Sequence, residues 1–454
     1  MQPTCYLANW VLPVSSPPIP GGAVLVAGNG QIEAVGQRAR VAPGERVAVV
    51  DLGEAILLPG LINAHVHAEL AAFRGLLEDL PFQQWIPTLR RCKQEAAPTP
   101  DELRAAALLT CAESLAAGIT TFGATEDSDA AVLALQESGM RGVIFREVFG
   151  PDPRQAATAA AELASRVAEL RTIAGDLVGI GVSPHAAYTV SDELYRLVAR
   201  LAHDESLAVA VHAAEAEAEE QLVVRGEGPF AAGLRTRGIA TPARARSVVA
   251  LLEATGLLEL RPLVIHGVRL NPWDIERLAL AGASVAHCPT ANARLGHGIA
   301  PVVELRAAGV NVALGTDSVA ANNRLDLLEE ARTAQLLQRA RLRSASALSP
   351  PELLELATMA GARALGLEHL IGSLEPGKDA DLCAVRTDRP HTRPSLDPIA
   401  TLFLAARGSD VVLTTVRGRT LYRSGQFTTL DPAALAAPVE CLAARVAAAR
   451  RRSG

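Results

Sequence analysis

Short apolar runs alternate with longer amphipathic stretches through the middle of the chain, and this alternation limits the folds available to it. The runs TTFGA, GVIFREVFG, VGIGVSPH, AVAVHAAE, PLVIHGV, ASVAHCP and VNVALGTD are typical of buried strands. Stretches such as PDELRAAALLTCAESLAAG lie between them, and repeated strand–helix units indicate a parallel sheet with crossover helices. With the strand that ends at His67, the chain contains about eight such units, the number in a (β/α)8 barrel. A doubly wound open sheet is the alternative, although no GxGxxG follows the first strand.

Both ends of the chain have a different sequence pattern, in which Gly and Pro interrupt short β-rich runs. Residues 1–57 contain AVLVAGNGQIEAVG, in which residues 28–30 form the turn of a predicted hairpin. Similar runs return late in the chain as DADLCAVRTD and DVVLTTVRGRTLYRSGQ. We therefore predict an α/β protein in which a TIM-like (β/α)8 barrel over residues 58–371 carries a small β-sandwich domain from residues 1–57 and 372–426. An amphipathic helix is predicted over residues 427–454.

Composition and charge argue against several classes of partner. Aromatic residues make up 3% of the chain, too few for the stacking platforms that bind single-stranded nucleic acid. The formal net charge is -6 and no basic stripe is present, which disfavours nucleic acid and acidic membrane surfaces. The cysteines show no CxxC spacing, and neither a signal peptide nor an uncharged apolar run of about 18 residues is present. The sequence therefore predicts a cytoplasmic protein with no nucleic-acid or membrane partner, and it leaves a homo-oligomer open.

Two histidines stand at the carboxyl end of the first barrel strand. His65 and His67 follow the apolar run LLPGLINA. Residues two apart on an extended strand point to the same side, so both imidazoles can reach one ion. Neutral imidazole is a ligand for zinc and iron(II). An HxH pair alone is a weak signal, because many such pairs lie on surfaces, but its place at a strand end favours a metal site.

Three further strand ends carry a histidine or an aspartate. His212 follows AVAV, His266 follows PLVI and Asp317 follows VALGT. A carboxylate at the end of an apolar strand is costly to bury unless it is paired or bound to a metal. Glu215 lies three residues past His212, close enough to act on a metal-bound water. Because active sites lie at the carboxyl ends of barrel strands, these residues together predict a metal centre there.

Five motifs carry a resemblance to a known family. LPGLINAHVH, HAAE, VIHG, HCPTANARLGHGIAPV and LGTDSVAANN are similar, in order and spacing, to motifs of the amidohydrolase superfamily. They most resemble its mononuclear branch of S-adenosylhomocysteine/methylthioadenosine, aminodeoxyfutalosine and guanine deaminases and triazine chlorohydrolases. The resemblance covers almost the whole chain and includes IGSLEPGKDADLCAV, the closing segment of the split β-domain.

The resemblance implies a role for each strand-end residue. The ligands of one divalent metal ion would be His65, His67, His212 and Asp317. The ion would be zinc, or iron(II), which shares these ligands. Glu215 would move protons between water and substrate, and His266 would polarise or orient the attacking hydroxide. Asp317 would also serve as a base.

Lysine is rare in this chain, and its positions bear on the number of metal ions. Binuclear members of the superfamily bridge two ions with a carboxylated lysine on a middle barrel strand. The chain has two lysines, of which Lys93 follows the first barrel strand and Lys378 lies in the predicted β-domain. Neither stands on a middle strand, so the resemblance implies one ion per chain.

The implied reaction is hydrolytic deamination of a small heterocyclic substrate. A divalent ion lowers the pKa of its water to about 7, and the hydroxide would add to an amidine-like ring carbon with release of ammonia. We expect an adenine-like or related N-heterocycle, such as a nucleoside of the aminodeoxyfutalosine, adenosine or S-adenosylhomocysteine type. The alternatives are a guanine- or cytosine-type deaminase, hydrolysis of a C–Cl, C–S or amide bond, and a non-catalytic homologue.

Two residues match substrate contacts of this branch. Trp85, in EDLPFQQWI, matches a helix that lines the pocket, with a core tryptophan as the alternative. His185, in SPHAAYT, matches a residue that contacts a nucleoside hydroxyl. Nine residues beyond Trp85, where S-adenosylhomocysteine deaminases hold the ribose with a glutamate, this chain has Gln94. Ribose recognition there would depend on the weaker amide or on a shift to Glu95.

Other polar residues are weaker candidates for the pocket. Glu69 faces the pocket or caps the next helix, and Arg146 binds a polar tail of the substrate or pairs with its neighbour Glu147. His287 opens HCPT and is predicted to lie near the metal, and His297 is predicted to lie in a loop near the pocket. The run after Glu215 predicts a solvated helix start that includes Glu217, Glu219 and Glu220.

Overall fold

The strands of the computed structural model lie where the sequence predicts them, in the middle segment and at both chain ends. The structure describes residues 1–41, 44 and 46–452. In chain order the strands are β1 (Thr4–Val11), β2 (Ile19–Val26), β3 (Ile32–Gln37), β4 (Ala48–Asp51), β5 (Ala55–Pro59), β6 (Leu61–Val66), β7 (Ile119–Glu126), β8 (Arg141–Val148), β9 (Val178–Pro184), β10 (Ala210–Ala213), β11 (Leu263–His266), β12 (Ser284–His287), β13 (Asn311–Leu314), β14 (Leu382–Arg386), β15 (Val411–Val416), β16 (Arg419–Arg423) and β17 (Gln426–Phe427). Strands β6 to β13 coincide with the apolar runs of the middle segment.

These middle strands form two parallel sheets that lie edge to edge. One sheet has the order β6-β7-β8-β9 and the other β10-β11-β12-β13. On one side an isolated parallel bridge joins Ala186, just after β9, to His212 in β10. On the other side the N–H of Asp317, after β13, donates to the carbonyl of His65 in β6 over 3.0 Å. The alternation of parallel strands and helices is of the TIM-barrel type.

Helices follow the barrel strands as the sequence predicts. In chain order they are α1 (Phe82–Ala96), α2 (Pro100–Ala116), α3 (Ala130–Ser138), α4 (Ala156–Ile173), α5 (Asp192–Asp204), α6 (Glu217–Arg225), α7 (Gly228–Arg235), α8 (Val248–Ala254), α9 (Pro272–Ala281), α10 (Pro289–Arg294), α11 (Val302–Ala307), α12 (Leu327–Leu342), α13 (Pro350–Ala357), α14 (Met359–Ala364), α15 (Pro398–Ala400) and α16 (Pro432–Arg451). A short 3₁₀ helix, Ala68–Phe73, follows β6 directly.

Capping side chains determine where several of these helices begin. The Thr99 hydroxyl accepts a hydrogen bond from the N–H of Glu102 at the start of α2. Ser191 and Asn271 cap α5 and α9 in the same way, and Asp326 caps α12. Such side chains satisfy N–H groups that the first helical turn leaves unpaired. The caps therefore fix the lengths of the loops that carry the strand-end side chains.

Strands from both chain ends join in one nine-stranded sheet. Its order is β17-β16-β15-β14-β5-β1-β2-β3, and β4 pairs with β1. The two ends meet where β5 and β14 run antiparallel, with Leu57 opposite Ala384. Tyr6, Val24 and Leu382 belong to a buried apolar cluster of this sheet. The division of the chain at residues 57, 371 and 426 stays a prediction.

Helix α16 covers the helices that follow the first barrel strand. Within the described part of the chain, it is the one helix long and apolar enough to cross a membrane by length and composition, with a mean hydropathy of 1.3. In the structure it packs on α1 and α2. Leu442 and Val446 are buried, and the Arg445 guanidinium donates to the carbonyl of Ala96 at the end of α1. Its apolar face is thus used against the protein itself.

Candidate active site

Four side chains from three strand ends converge at one point. β6 contains His65 and is followed by His67, β10 contains His212, and Asp317 follows β13. His65 Nε2 and His67 Nε2 each lie 3.8 Å from Asp317 Oδ1. The ring centroid of His212 lies 5.0 Å from that of His65 and 5.4 Å from that of His67. Residues that are far apart in sequence thus form one compact cluster.

Backbone carbonyls orient two of these imidazoles. His67 Nδ1 lies 2.8 Å from the carbonyl oxygen of Thr125, and His212 Nδ1 lies 3.2 Å from that of His185. A protonated Nδ1 that donates to a carbonyl leaves Nε2 as a bare acceptor, because neutral imidazole carries one proton. His65 Nε2 is buried without a hydrogen-bond partner among the described residues. The ring nitrogens of the cluster are therefore available to a ligand.

Burial keeps the imidazoles neutral. Burial, assisted by the neighbouring His185, lowers the pKa of His67 to about 3. Burial also lowers the pKa values of His65 and His212 well below the usual range of histidine. Neutral imidazoles with one carboxylate are the donor set that zinc and iron(II) accept. A buried nitrogen without a partner is rare unless a ligand occupies it, so the residues present fit a divalent cation.

Asp317 is held in an uncommon backbone conformation beside His65. Its φ is +58°, in the left-handed region that few non-glycine residues adopt. Burial raises the pKa of its carboxyl to about 6, although His266 acts in the opposite direction. A carboxylate deprived of water in this way is stabilised by a nearby cation. The loop after β13 thus presents a carboxyl group that needs a positive partner.

Glu215 lies beside this cluster, and three side chains contact its carboxylate. Its Oε1 is 3.5 Å from His266 Nε2 and 3.1 Å from His297 Nε2. The Tyr188 hydroxyl donates to its Oε2 over 3.3 Å. Burial alone would raise the pKa of this carboxyl, but His266 and His297 outweigh burial and lower it to about 2. Glu215 is therefore ionised at neutral pH, and its carboxylate contacts both imidazoles.

His266 connects the cluster with Glu215. Its Nδ1 lies 2.9 Å from Asn292 Oδ1, which fixes the ring. Ligand nitrogens of His65, His212 and His266 all lie within 4.8 Å of one another. His266 thus borders the metal-ligating group on one side and the Glu215 carboxylate on the other.

An aromatic group closes the site next to Glu215. The ring centroid of Phe82 lies 4.5 Å from that of His297 and 6.1 Å from that of Tyr188. Tyr188 in turn stacks on Phe230 with centroids 4.3 Å apart. Trp85, one turn along α1 from Phe82, is buried in the same apolar cluster. Sequence reasoning selected Trp85 and missed Tyr188, whose position three residues after His185 was the one available signal.

His185 and Glu147 stand together at the ends of β9 and β8. His185 Nδ1 lies 2.7 Å from Thr189 Oγ1, and burial lowers its pKa to about 4. The Glu147 carboxylate and the ring nitrogens of His185 and His212 lie within 4.8 Å of one another. Phe149, 43% exposed, lies with its ring centroid 4.9 Å from that of His185. This side of the site opens toward solvent.

The weaker candidates occupy different places. Arg146 Nη1 lies 3.6 Å from Asp129 Oδ1, next to α3. Glu69 is buried, with Oε1 accepting a hydrogen bond from Ser128. His287 is buried with no hydrogen-bond partner among the described residues at either ring nitrogen, and burial together with His266 lowers its pKa to about 3.

The structure bears on one open question and overturns one expectation about polar side chains. Gln94 and Glu95 are exposed on α1, and Glu95 Oε2 pairs with Arg452 at 2.8 Å, so neither faces the site. Their neighbour Lys93 does turn inward, and its Nζ lies 2.7 Å from Asp127 Oδ1. Glu219 is fully buried rather than solvated, because its Oε2 accepts the N–H of Glu215 over 2.9 Å.

Comparison with known proteins agrees with this geometry. Residues 56–421 match the model of the Amidohydrolase family. The chain is 35% identical over 393 residues to 5'-deoxyadenosine deaminase of Methanothermobacter thermautotrophicus, covering 86% of this chain and 87% of that protein. It is also 35% identical over 428 residues to 5-methylthioadenosine/S-adenosylhomocysteine deaminase of Moorella thermoacetica, covering 93% and 94%.

Solved structures show the same architecture. An adenosine deaminase from Xanthomonas campestris with bound zinc superimposes with a TM-score of 0.85 and 29% identity over 98% of both chains. Atrazine chlorohydrolase from Arthrobacter aurescens, complexed with zinc, gives a TM-score of 0.83 at 23% identity, covering 97% of this chain and 100% of that one, which is a likeness of fold alone. From the family match and the full-length relatives, the chain belongs to the amidohydrolase family.

Proposed function

We propose that this protein is a metal-dependent aminohydrolase that deaminates an adenine-like N-heterocycle and releases ammonia. The observation that carries the proposal is the ionised Glu215 carboxylate, held by His266 and His297 directly beside the histidine–aspartate cluster. An acid–base group next to a metal site is what hydrolytic deamination requires. The curated relatives at 35% identity are named as deaminases of adenine nucleosides, which supports the same reaction.

The cluster described above would hold one divalent cation. Its ligands would be His65, His67, His212 and Asp317. Zinc fits this donor set and is bound in the Xanthomonas campestris relative, and iron(II) would use the same ligands. When bound, the cation would supply an attacking water whose pKa is lowered to about 7.

The protein's own residues would move the protons. Ionised Glu215 would take a proton from the attacking water and deliver it to the ring nitrogen beside the carbon under attack. A second proton, passed through Glu215 or Asp317, would go to the amino group, which leaves as ammonia while the ring carbon keeps the oxygen. His266, fixed by Asn292, would orient the attacking oxygen through Nε2.

The surrounding wall would bind the substrate. Candidate contacts are Trp85, His185, Arg146, His287 and Glu69. Tyr188 and Phe82, which sequence reasoning did not select, extend this wall next to Glu215. We further propose that the two parallel sheets close into one (β/α)8 barrel and that the terminal sheet folds as a small sandwich.

The proposal extends to the setting in which the enzyme works. The described cysteines form no disulfide and five of the six are buried, which supports a cytoplasmic location. The partner we propose is a small heterocyclic substrate, with no nucleic acid and no membrane. Assembly as a homo-oligomer stays open as a prediction.

Ammonia release across a panel of amines tests the proposal. Metal-replete protein would be incubated with adenosine, methylthioadenosine, S-adenosylhomocysteine, aminodeoxyfutalosine, guanine and cytosine, with chelator-treated protein as the control. We expect ammonia from at least one adenine compound and none after metal removal. Ammonia from guanine or cytosine alone would change the proposed substrate from an adenine-like compound to a guanine- or cytosine-type base. Chloride or acid release from triazine or amide substrates, without any ammonia from the panel, would overturn the proposed reaction.

A further inference from the structure

The proposed metal site spans the seam at which β13 of one parallel sheet lies beside β6 of the other. His65 belongs to β6, and Asp317 belongs to the loop after β13. His65 Nε2 and Asp317 Oδ1 lie 3.8 Å apart. Zinc bonds nitrogen and carboxylate oxygen at about 2.0–2.2 Å, so one ion can contact both atoms only while they stay this close. The contacts that join β6 to the loop after β13 therefore affect how long an ion stays bound.

The side chain of Asn63 crosses this seam. Its Nδ2 donates to Thr316 Oγ1 over 2.7 Å, and its Oδ1 accepts the N–H of Thr316 over 3.0 Å. The same oxygen accepts the N–H of His65 over 3.4 Å. Because two backbone N–H groups face Oδ1, the orientation of the amide is determined. Asn63 and Thr316 are fully buried, where polar groups are costly unless they are hydrogen-bonded, so these bonds favour a single arrangement of the two residues.

Thr316 is held through each of its polar groups. Its N–H also points to the carbonyl of His65, over 3.1 Å. Its carbonyl accepts a hydrogen bond from Asn322 Nδ2 over 2.7 Å. Its hydroxyl donates to the carbonyl of Asp317 over 3.0 Å. The residue directly before Asp317 is thus fixed relative to β6, largely by Asn63.

The backbone of Asp317 requires such support. Its φ of +58° lies in the left-handed region, which is unfavourable for a residue other than glycine. A conformation of this kind persists only where the surrounding structure holds it in place. Since Asn63 holds Thr316, it also stabilises the strained conformation that presents the Asp317 carboxylate to the histidines.

We propose that Asn63 is a positioning residue of the metal site: by holding Thr316 it keeps the Asp317 carboxylate at the distance from His65 that retains the cation. This inference rests on the proposed function, which includes the cation, and it adds a residue outside the proposed ligand set. Loss of hydrogen bonds that orient metal ligands typically lowers metal affinity by about 10- to 100-fold. Removal of the Asn63 amide should therefore accelerate the release of the metal.

Zinc release from the holoenzyme tests this inference. Zinc-loaded wild type and Asn63→Ala would be mixed with a chromophoric chelator at concentrations high enough that the rate no longer depends on them. We expect zinc to leave the variant at least about 10-fold faster. Rate constants within about threefold of each other would overturn the inference.

Thr316→Val tests the path from Asn63 to Asp317 with a smaller change. It removes the hydroxyl that binds Asn63 Nδ2, so we expect about fivefold faster release, the effect of one hydrogen bond. The double variant should release zinc no faster than Asn63→Ala alone, because both changes remove the same contact. Additive effects would overturn the path through Thr316. If Asn63→Ala does not fold, Thr316→Val decides alone, and a rate within about twofold of the wild type overturns the inference.

Asn311→Ala separates positioning from a general loss of stability. Asn311 stands at the opposite end of β13, where its Nδ2 donates to Ser284 Oγ and to the carbonyl of Ala360, each over 3.0 Å. We expect Asn311→Ala and Asn63→Ala both to lower the free energy of unfolding of the metal-free protein. Zinc release from Asn311→Ala should stay within about twofold of the wild type. Equal acceleration in both variants would show that destabilisation alone frees the metal, and would overturn the inference.

The wild type separates this inference from the proposed function. If it retains zinc and releases no ammonia from any amine, while Asn63→Ala loses zinc faster, the proposed reaction fails and the role of Asn63 stands. If it retains zinc and releases ammonia, while Asn63→Ala holds zinc equally well, the role of Asn63 alone fails. A wild type that retains no zinc would overturn both.

Discussion

Glu215 is the residue at which proton transfer and metal binding should separate experimentally. Glu215→Gln keeps the size of the side chain and removes the titratable proton, while the four proposed ligands stay intact. Because general acid–base groups are typically worth about 10²- to 10⁴-fold, we expect kcat to fall at least about 10²-fold. The metal content should stay that of the wild type. Elemental analysis and steady-state ammonia release check both outcomes.

His212→Ala and Glu217→Gln complete this comparison. His212→Ala removes a proposed ligand and should lower the metal content itself. Glu217 begins α6 on its exposed side, so Glu217→Gln should change neither the metal content nor kcat by more than about twofold. If Glu215→Gln purifies without metal, or turns over at a near-native rate, the role assigned to Glu215 is wrong.

Among individual residues, the sequence predicted the site side chains that stand at strand ends and missed those that other segments contribute. His212 and Asp317 each follow an apolar run, and the carboxyl ends of parallel strands meet at one face, so their convergence was foreseeable. Tyr188 and Phe82 carry no comparable signal, because their contact with the site depends on how the loop after β9 and the start of α1 come together. Glu219 was placed in solvent for the same reason, since its partner is the backbone of Glu215.

Glu330 on α12 links elements around the loop after β13, and its ionisation should be visible in stability. Its carboxylate accepts hydrogen bonds from Thr290 at the start of α10 and from Asn322 in that loop. Burial nevertheless raises its pKa to about 7 from the usual 4.5. Between these values the folded state binds more protons than the unfolded state, so stability falls as pH rises from about 4.5 to about 7 and is level above. The loss from this group is up to about 3 kcal/mol.

Glu330→Gln removes this titration and isolates its effect. Relative to the variant, the wild type should lose stability by up to about 3 kcal/mol between pH 4.5 and 7.5. Urea unfolding at both pH values measures the difference, in which other groups cancel. Glu329→Gln, on the neighbouring position that pairs with Arg324, is the control and should show a smaller change. A wild-type-to-variant difference that is constant with pH would contradict the role of Glu330.

The sequence predicted where helices and strands begin and end more reliably than which side of each helix faces the site. Apolar runs located β6 to β13, and capping residues such as Thr99 and Asn271 mark helix starts. Helix α1 shows where this fails. The position nine residues beyond Trp85 is Gln94, which is exposed, whereas its neighbour Lys93 turns inward, since one residue rotates a helix by about 100°. Helix α1 also packs on α16, a contact between segments far apart in the chain that the sequence analysis did not predict.

Arg141 joins the two parts of the molecule, and we expect its loss to be costly. It lies at the start of β8, where Nε contacts Asp381 at 2.8 Å and Nη2 contacts Asp379 at 2.7 Å. All three side chains are buried, and both aspartates belong to the segment before β14. Arg141→Met would remove the buried guanidinium partner of both carboxylates and leave Asp379, among the described side chains, only the half-exposed Arg417 at 4.0 Å, so we expect a loss of about 3–5 kcal/mol.

Arg104→Met is the control, because it removes a surface ion pair instead of the buried ion pairs of Arg141. Arg104 pairs with Glu137 on the surface, where both side chains are about 40% exposed, so its loss should cost at most about 1 kcal/mol. Chemical unfolding of both variants measures the two values. Equal losses would mean that the buried ion pairs contribute no more than a surface pair. The similar β-rich patterns of the two chain ends predicted that they pair in one sheet. Nothing in the sequence indicated that Arg141 would contact Asp379 and Asp381.

The number of metal ions is a property of the whole chain, and we infer it from where the two lysines lie. Lys93 Nζ is paired with Asp127, and Lys378 Nζ donates to the carbonyl of Glu368 and to Ser373, away from the histidine cluster. Because neither lysine stands at the end of a middle strand, we infer that the carboxylated-lysine bridge of binuclear members is not formed. We therefore expect one tightly bound divalent ion per chain. Elemental analysis of metal-replete protein after dialysis should give that ratio for the wild type and for Lys93→Met, whereas two tightly held ions in either protein would show that another group bridges.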